Sequence, residues 1–215
     1  MPLTTNRYKP LKRVMDIGGS IFGLIVLFPL FAIIAIWVKM DSTGPILYKQ
    51  TRVTMGGLKF EAIKFRSMKV ASGNAANDGI TTPDKQTRIT KSGAFIRKYR
   101  LDELTQLWNV LVGEMSLVGP RPQTPKYVEI YADIYAKINS IRPGITGLAS
   151  IKFHEQEERM LADAGDNADD IYIQKILPMK FKYNLFYVSH YGLWFDIKII
   201  WWTISGMINK ARRSK

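Results

Sequence analysis

Arg97-Lys98-Tyr99-Arg100-Leu101-Asp102-Glu103 sets three cations directly ahead of two adjacent carboxylates. Leu101, Leu104, Leu107, Trp108 and Leu111 then recur at helical spacing, so the carboxylates open an amphipathic helix within a helical stretch read from Ser92 to about Leu111. A helix N-terminus favours negative charge, which predicts that Asp102 stays ionised. An ionised aspartate among guanidinium groups suits phosphoryl chemistry: it can ligate Mg²⁺, or attack phosphorus to give an acyl phosphate. Acids are also ordinary in the first turn of any helix, so the pair needs company before it reads as a site. Three more cationic positions provide it. Lys64-Phe65-Arg66 ends a predicted strand, Arg121 lies between Pro120 and Pro122, and Arg142 precedes Pro143-Gly144. The prolines fix φ and stiffen the backbone beside Arg121, and arginine on a rigid loop suits bidentate phosphate binding. Each position alone reads equally well as solvated surface; together they describe an anion pocket of diphosphate size.

The elements that must hold these residues read as an α+β, helix-dominated chain with a small sheet. Ile46–Val53 and Leu58–Phe65 alternate as two strands joined by a hairpin loop at Thr54-Met-Gly-Gly57. Residues 69–86 are polar and rich in Gly, Asn, Ala and Thr, a surface loop by composition. Gly113 ends the helix that carries the carboxylates. Tyr127–Ile138 and Pro178–Val188 read as helices, Arg142-Pro-Gly-Ile-Thr-Gly147 as a tight loop, and the acidic stretch Glu155–Asp170 as a solvated helix or loop. The tail sets Trp194, Phe195, Trp201 and Trp202 ahead of Lys210, Arg212, Arg213 and Lys215, the pattern of an amphipathic helix at a membrane interface; packing on the domain core is the other reading.

Ile17–Val38 is an uncharged apolar run of 22 residues with Pro29 inside it. Its length suits a membrane helix. Arg7, Lys9, Lys12 and Arg13 precede it and Lys39, Lys49 and Arg52 follow it, so neither end carries the charge bias of an outward-facing loop. Pro29 removes a backbone donor and crowds the preceding turn. Phe28-Pro29 is therefore read as breaking the helix and returning the chain to the face it came from; a kinked spanning helix is the alternative. The run is too long for a cleaved leader, and no small-x-small site follows it. The divisions read as residues 1–40 for the re-entrant membrane helix, 41–190 for the catalytic domain and 191–215 for the interfacial helix. A net charge of +13 suits acidic headgroups or phosphorylated substrates. There is no Cys, which excludes disulfides and thiolate chemistry, and His154 and His190 lack metal-ligand spacing.

The ordered set Lys12-Arg13…Asp16, Pro29, Gln50-x-Arg52, Lys64-Phe-Arg66-Ser-Met68, Arg88-Ile-Thr, Leu101-Asp-Glu-Leu-x-Gln-Leu-Trp-Asn-Val-Leu111, Met115-Ser-Leu-Val-Gly-Pro-Arg-Pro122 and Arg142-Pro-Gly-Ile-Thr-Gly147 resembles the bacterial sugar transferases, monotopic phosphoglycosyl transferases that start lipopolysaccharide, capsule and exopolysaccharide assembly. The likeness runs from about Lys12 to Ile200. It implies transfer of a sugar 1-phosphate from a UDP-sugar to undecaprenyl phosphate with release of UMP. The residue matching Asp102 would attack the β-phosphorus and hold a covalent phospho-sugar. Glu103 would assist, by binding Mg²⁺ with Asp102 or by handling a proton. Lys64, Arg66, Arg97, Arg121 and Arg142 would surround the phosphates. Lys12 and Arg13 would meet headgroup phosphates, and Asp16 and Pro29 belong to the membrane element.

The implied setting is the cytoplasmic face of the bacterial inner membrane, with membrane lipids as partners, a homodimer compatible with the size, and no nucleic acid. Three departures stand out: Phe28 replaces a serine before Pro29, Thr54 stands where glycine is common, and Leu148-Ala-Ser150 replaces Trp-Ala-Gln. The last bears on which sugar is taken. A basic, anchored scaffold without catalysis is a competing reading, opposed by the intact Asp102–Glu103 pair. A nucleic-acid binder would rest on charge alone.

Overall fold

The long apolar run folds as one helix, α1 (Thr4–Asp41), in the computed structural model, which describes residues 4–69 and 88–213. The loop read over 69–86 lies outside the described residues from position 70 on, as do the side chains of the basic tail. The expected interruption at Pro29 is not found: Pro10 and Pro29 both sit inside the helix. A proline removes only its own N–H, and the bonds of the neighbouring turns can carry the helix past it.

Along α1 the buried positions Lys12, Asp16 and Ser20, then Ile34 and Val38, recur every fourth residue, so one face lies on the rest of the chain. Lys12 Nζ donates to Val118 O at 2.9 Å, to Tyr187 Oη at 3.3 Å and to Asp196 Oδ2 at 2.5 Å. Asp16 Oδ1 accepts from Ser116 Oγ and the Leu117 N–H, both at 2.9 Å. Arg13 donates to the carbonyls of Val110 and Leu111 at 2.7 and 2.8 Å. The structure therefore turns Lys12 and Arg13 into the protein, where headgroup contact was expected. An ammonium at 7% exposure is held by a buried carboxylate and two oxygens, which satisfies all three donors. At the other end of α1, Ile34 and Val38 pack with Phe65 and Ile96, and Asp41 Oδ2 accepts from the Ser92 N–H and Oγ, each at 2.7 Å.

Strands β1 (Leu47–Val53) and β2 (Lys59–Phe65) pair antiparallel from Leu47↔Phe65 to Val53↔Lys59, as the alternation predicts. The loop needs Gly56 and Gly57, whose φ values of 74° and 79° disfavour a side chain. The helix read from Ser92 to Leu111 is three pieces. Helix α2 (Lys91–Lys98) stops, Arg100 takes a left-handed conformation at φ 55°, a 3-10 segment covers Leu101–Gln106, and α3 (Leu107–Val112) follows. Thr105 Oγ1 donates to Ile63 O at 2.9 Å, fastening the 3-10 segment to β2. Gly113, at φ 96°, ends α3 as expected.

A second sheet, unforeseen in the sequence, pairs β3 (Ser116–Val118) in parallel with β4 (Gly144–Thr146). The helix read over Tyr127–Ile138 divides at Tyr131 into α4 (Pro125–Ile130) and α5 (Ala132–Ile138). The acidic stretch begins inside α6 (Leu148–Asp163), and α7 (Ala168–Ile171) and a π turn lead into α8 (Leu177–His190). Helix α9 (Leu193–Arg213) packs on the core as one reading of the tail has it, with Asp196 and Ile199 fully buried, while Trp194 and Trp201 are exposed.

The β3–β4 crossing depends on absent side chains. A Cβ on Gly144 would lie 2.0 Å from Gly119 N, and one on Gly147 would lie 2.1 Å from Gly119 O. We expect Gly144→Ala to lower stability by about 1–3 kcal/mol or more, as overpacking against backbone does. Gly192→Ala, with open space around it, should change it by less than about 0.5 kcal/mol. Thermal unfolding of both variants in one detergent checks this.

Candidate active site

Glu103 organises three cations, Lys64, Arg100 and Arg121, that lie up to 57 positions apart in the sequence. Arg121 grips both its oxygens, Nη1 to Oε2 at 2.9 Å and Nη2 to Oε1. Lys64 Nζ donates to Oε1 at 3.3 Å, and Arg100 Nη2 lies 3.4 Å from Oε2. Burial by itself would raise the Glu103 pKa; Arg121 and Lys64, followed by Arg100, overcome burial and hold the carboxyl well below the usual range. The left-handed Arg100 belongs to this arrangement. A non-glycine residue held there is strained, and its guanidinium ends up on Glu103.

The cations answer in turn. Burial pushes the Lys64 ammonium down to about 8, against the pull of Glu103. Glu103 raises the Arg121 pKa further. Burial, then neighbouring Arg121, brings Arg52 down to about 10. Arg52 Nη1 donates to Pro122 O at 3.2 Å and Nη2 to Gln50 Oε1 at 2.7 Å, which fixes its plane. Arg52, Lys64, Gln106 and Arg121 line a small cleft with Ala62 and Pro122. Beyond it, Lys180 Nζ pairs with Glu157 Oε1 at 2.5 Å, and Glu157 acts on both Arg100 and Arg121 through its charge.

Asp102 is the half-buried carboxylate at the edge of this cluster. Burial first, then adjacent Glu103, raises its pKa from 3.8, against Lys64, Arg97 and Arg121. The direction differs from the expectation of a helix-stabilised anion. Asp102 stands in a short 3-10 segment after the helix is interrupted at Arg100, where no long helix dipole supports it.

Of the expected phosphate ligands, Lys64 and Arg121 come together on Glu103, and Arg97 is exposed but close enough to act on Asp102. Arg66 is buried; its Nη2 donates to Val38 O, Ser42 O and Ser42 Oγ at 3.3, 2.7 and 3.0 Å, which ties the end of α1 to β2. Arg142 Nε donates to Gly113 O at 2.7 Å and closes the C-terminus of α3 beside Arg13. Sequence reasoning did not assign Arg52, Arg100 or Gln106 to the site. The Gln50-x-Arg52 spacing on one strand face was the available signal for the first.

Residues 7–210 match the family described as bacterial sugar transferase. The chain belongs to that family. It is 37% identical over 207 residues, 94% of this chain and 41% of the relative, to an Escherichia coli K12 protein named UDP-glucose:undecaprenyl-phosphate glucose-1-phosphate transferase. A Caulobacter vibrioides protein of the same name is 32% identical over 92% of this chain and 69% of its own length. A UDP-N-acetylgalactosamine-undecaprenyl-phosphate N-acetylgalactosaminephosphotransferase of Aeromonas hydrophila is 33% identical over 92% of this chain and 43% of its own length. The chain thus spans about two fifths of most of these relatives, and their names carry different sugars.

The chain has no group of three or more acidic or histidine side chains placed for a metal ion among the described residues. Mg²⁺, however, is commonly held by one or two carboxylates together with substrate phosphates. Asp102 fits as one such ligand, whereas both oxygens of Glu103 are already taken by cations.

Because its carboxyl pKa is depressed, Glu103 stabilises the fold above its unfolded value near 4.5, and that contribution is lost as pH falls through the folded value. Glu103→Gln should be less stable than the parent by about 1–3 kcal/mol at neutral pH. The gap should narrow below pH 4.5, read from unfolding midpoints across a pH series.

Proposed function

We propose that the chain moves a sugar 1-phosphate from a UDP-sugar to undecaprenyl phosphate through a covalent intermediate on Asp102. The observation that carries this reading is a half-buried carboxylate of raised pKa beside a second carboxylate saturated by three cations, in a chain of this family. A carboxylate cannot approach a diphosphate unless positive charge offsets the repulsion. Lys64, Arg52 and Arg121 supply it along the cleft. Glu103 holds Lys64 and Arg121 together and aimed, and Pro122 O and Gln50 hold Arg52, without Glu103 taking part in bond making.

In the first step an oxygen of ionised Asp102 bonds to the β-phosphorus, the bond from that phosphorus to the bridging oxygen breaks, and UMP leaves with the bonding pair. In the second, a phosphate oxygen of undecaprenyl phosphate bonds to the same phosphorus and the Asp102 carboxylate is released. Two anionic substrates therefore use one site in turn. Bound Mg²⁺, sharing Asp102 with the substrate phosphates, would neutralise charge on the leaving diphosphate oxygens. The named relatives support UDP-linked sugars as donors and undecaprenyl phosphate as acceptor.

A membrane location is supported by the 33-residue apolar span Lys9–Asp41, whose mean hydropathy is 2.9 over its most apolar window. A monotopic placement, on one side of the bilayer, is supported by the two ends of this unbroken helix. The N-terminal end is bonded to Val118 and Asp196, the C-terminal end to Arg66 and Ser92, all in the same domain. A helix crossing the bilayer would leave one end without that domain. The nucleotide-sugar donor supports the cytoplasmic face.

Asp102→Asn should abolish UMP release from labelled UDP-sugar, and acid-quenched parent protein should carry label on Asp102 in the absence of acceptor. Product formation with Asp102 unlabelled would overturn the covalent route. Protonated Lys64 is the binding form, so kcat/KM for the donor should fall above about pH 8 as that ammonium loses its proton. Lys64→Arg should carry the alkaline limb to higher pH.

A further inference from the structure

An apolar groove of about 240 Å³ opens on the surface where α1 ends, lined by Ala35, Ile36, Lys39, Met40 and Ile46. Its walls present only apolar surface, yet Ile36 is 61% and Met40 81% exposed. Apolar surface left open in this way gains by covering with an apolar occupant. The groove continues the bare stripe of Ile33, Ile36 and Met40 along α1, at spacings of three and four residues. A hydrocarbon chain lying along the helix would enter it without crossing polar surface. The Lys39 ammonium stands at the rim, bonded to Gly44 O at 3.3 Å, with capacity for two further acceptors.

The groove is also near the reaction. The hairpin register sets Tyr48 opposite Lys64, and Ile46 is two residues from Tyr48, roughly 7 Å along the chain. Ala35 and Ile46, on its wall, pack into the same cluster as Phe65 and as Leu101, the residue before Asp102. The groove and the segment that carries the nucleophile therefore pack against one shared hydrophobic cluster.

We propose that this groove seats the phosphate-proximal isoprene units of the polyprenyl acceptor, with Lys39 at its mouth attracting the lipid phosphate as it moves toward Lys64. The assignment rests on the function proposed above and deepens it. The occupant needs an apolar chain with a single anionic end, delivered from the bilayer side of α1. A UDP-sugar has no such chain. A two-chain phospholipid presents a larger head and has no chemistry to reach Asp102.

Ile36→Trp and Met40→Trp fill the groove from exposed positions, so neither should disturb folding. Each should raise KM for undecaprenyl phosphate about tenfold, roughly the loss of two buried methylenes. UMP release in the single-turnover donor half-reaction, without acceptor, should stay at the parent rate. Phe22→Trp, exposed on α1 away from the groove, should leave KM unchanged. A polyprenyl phosphate with a diazirine in its first isoprene should label Ile36, Met40 or Ile46, and undecaprenyl phosphate should displace that label at concentrations where phosphatidylglycerol does not. An unchanged KM in both groove variants, or equal displacement by phosphatidylglycerol, overturns the assignment. Absence of UMP release from the parent protein would instead strike the proposed function itself.

Discussion

Lys64, Arg100 and Arg121 repel one another, and without a counter-charge they could not share one side of a cleft. Glu103 gathers them, and the fold is arranged to present it. Its carboxylate meets a strand residue, a residue held in a strained conformation and a residue stiffened by two prolines. Each cation's backbone is fixed by its own element and its side chain by Glu103, so the cluster is assembled without substrate. Such preorganised charge acts without the reorganisation that water would need. Asp102, one residue away, inherits the field without being consumed by it. Sequence adjacency of the two acids thus separates two roles: one carboxylate fixes the cations, the other keeps a raised pKa and an open approach.

The second constraint is mechanical. Strand β3 connects the docking of α1 to the placement of Arg121. Lys12 and Asp16 fasten to Val118, Ser116 and Leu117, and Arg121 follows three residues after Val118. Gly119 passes so close to Gly144 and Gly147 that no side chain fits between them. The far end of α1 is held through Arg66 and Asp41, beside the strand that bears Lys64 and the helix that bears Arg97. The apolar helix is therefore a structural wall of the site, and its bare face and the site are held in one rigid relation.

Much of this was legible in the chain. The hairpin declared itself through alternation and the Gly56-Gly57 pair, the end of α3 through Gly113, and the apolar helix through length. The Asp102–Glu103 pair with Lys64 and Arg121 was found as chemistry. What escaped depends on partners far away in sequence. Nothing in the composition of Arg100 announces a left-handed residue, and the two short parallel strands are defined by glycine contacts across 25 or more residues. Lys12 and Arg13 border an apolar run and so read as headgroup ligands, but their oxygens lie about 100 to 184 positions onward. Arg66 and Arg142 show the same ambiguity: a guanidinium that suits phosphate equally suits carbonyls at a helix end.

The pairing of Lys12 with Asp196 sets an order of events during synthesis. The two residues are 184 positions apart, so the ammonium emerges from the ribosome while its carboxylate is still unmade. Until α9 arrives, the ammonium stands next to the chain's greasiest stretch without Asp196, and Asp16 one turn along α1 is its near acid. That charge keeps this end at the aqueous boundary. Closure of α9 then buries it, so the latch can shut only once Asp196 has been made, and a chain terminated before that residue would leave this end of α1 open and charged.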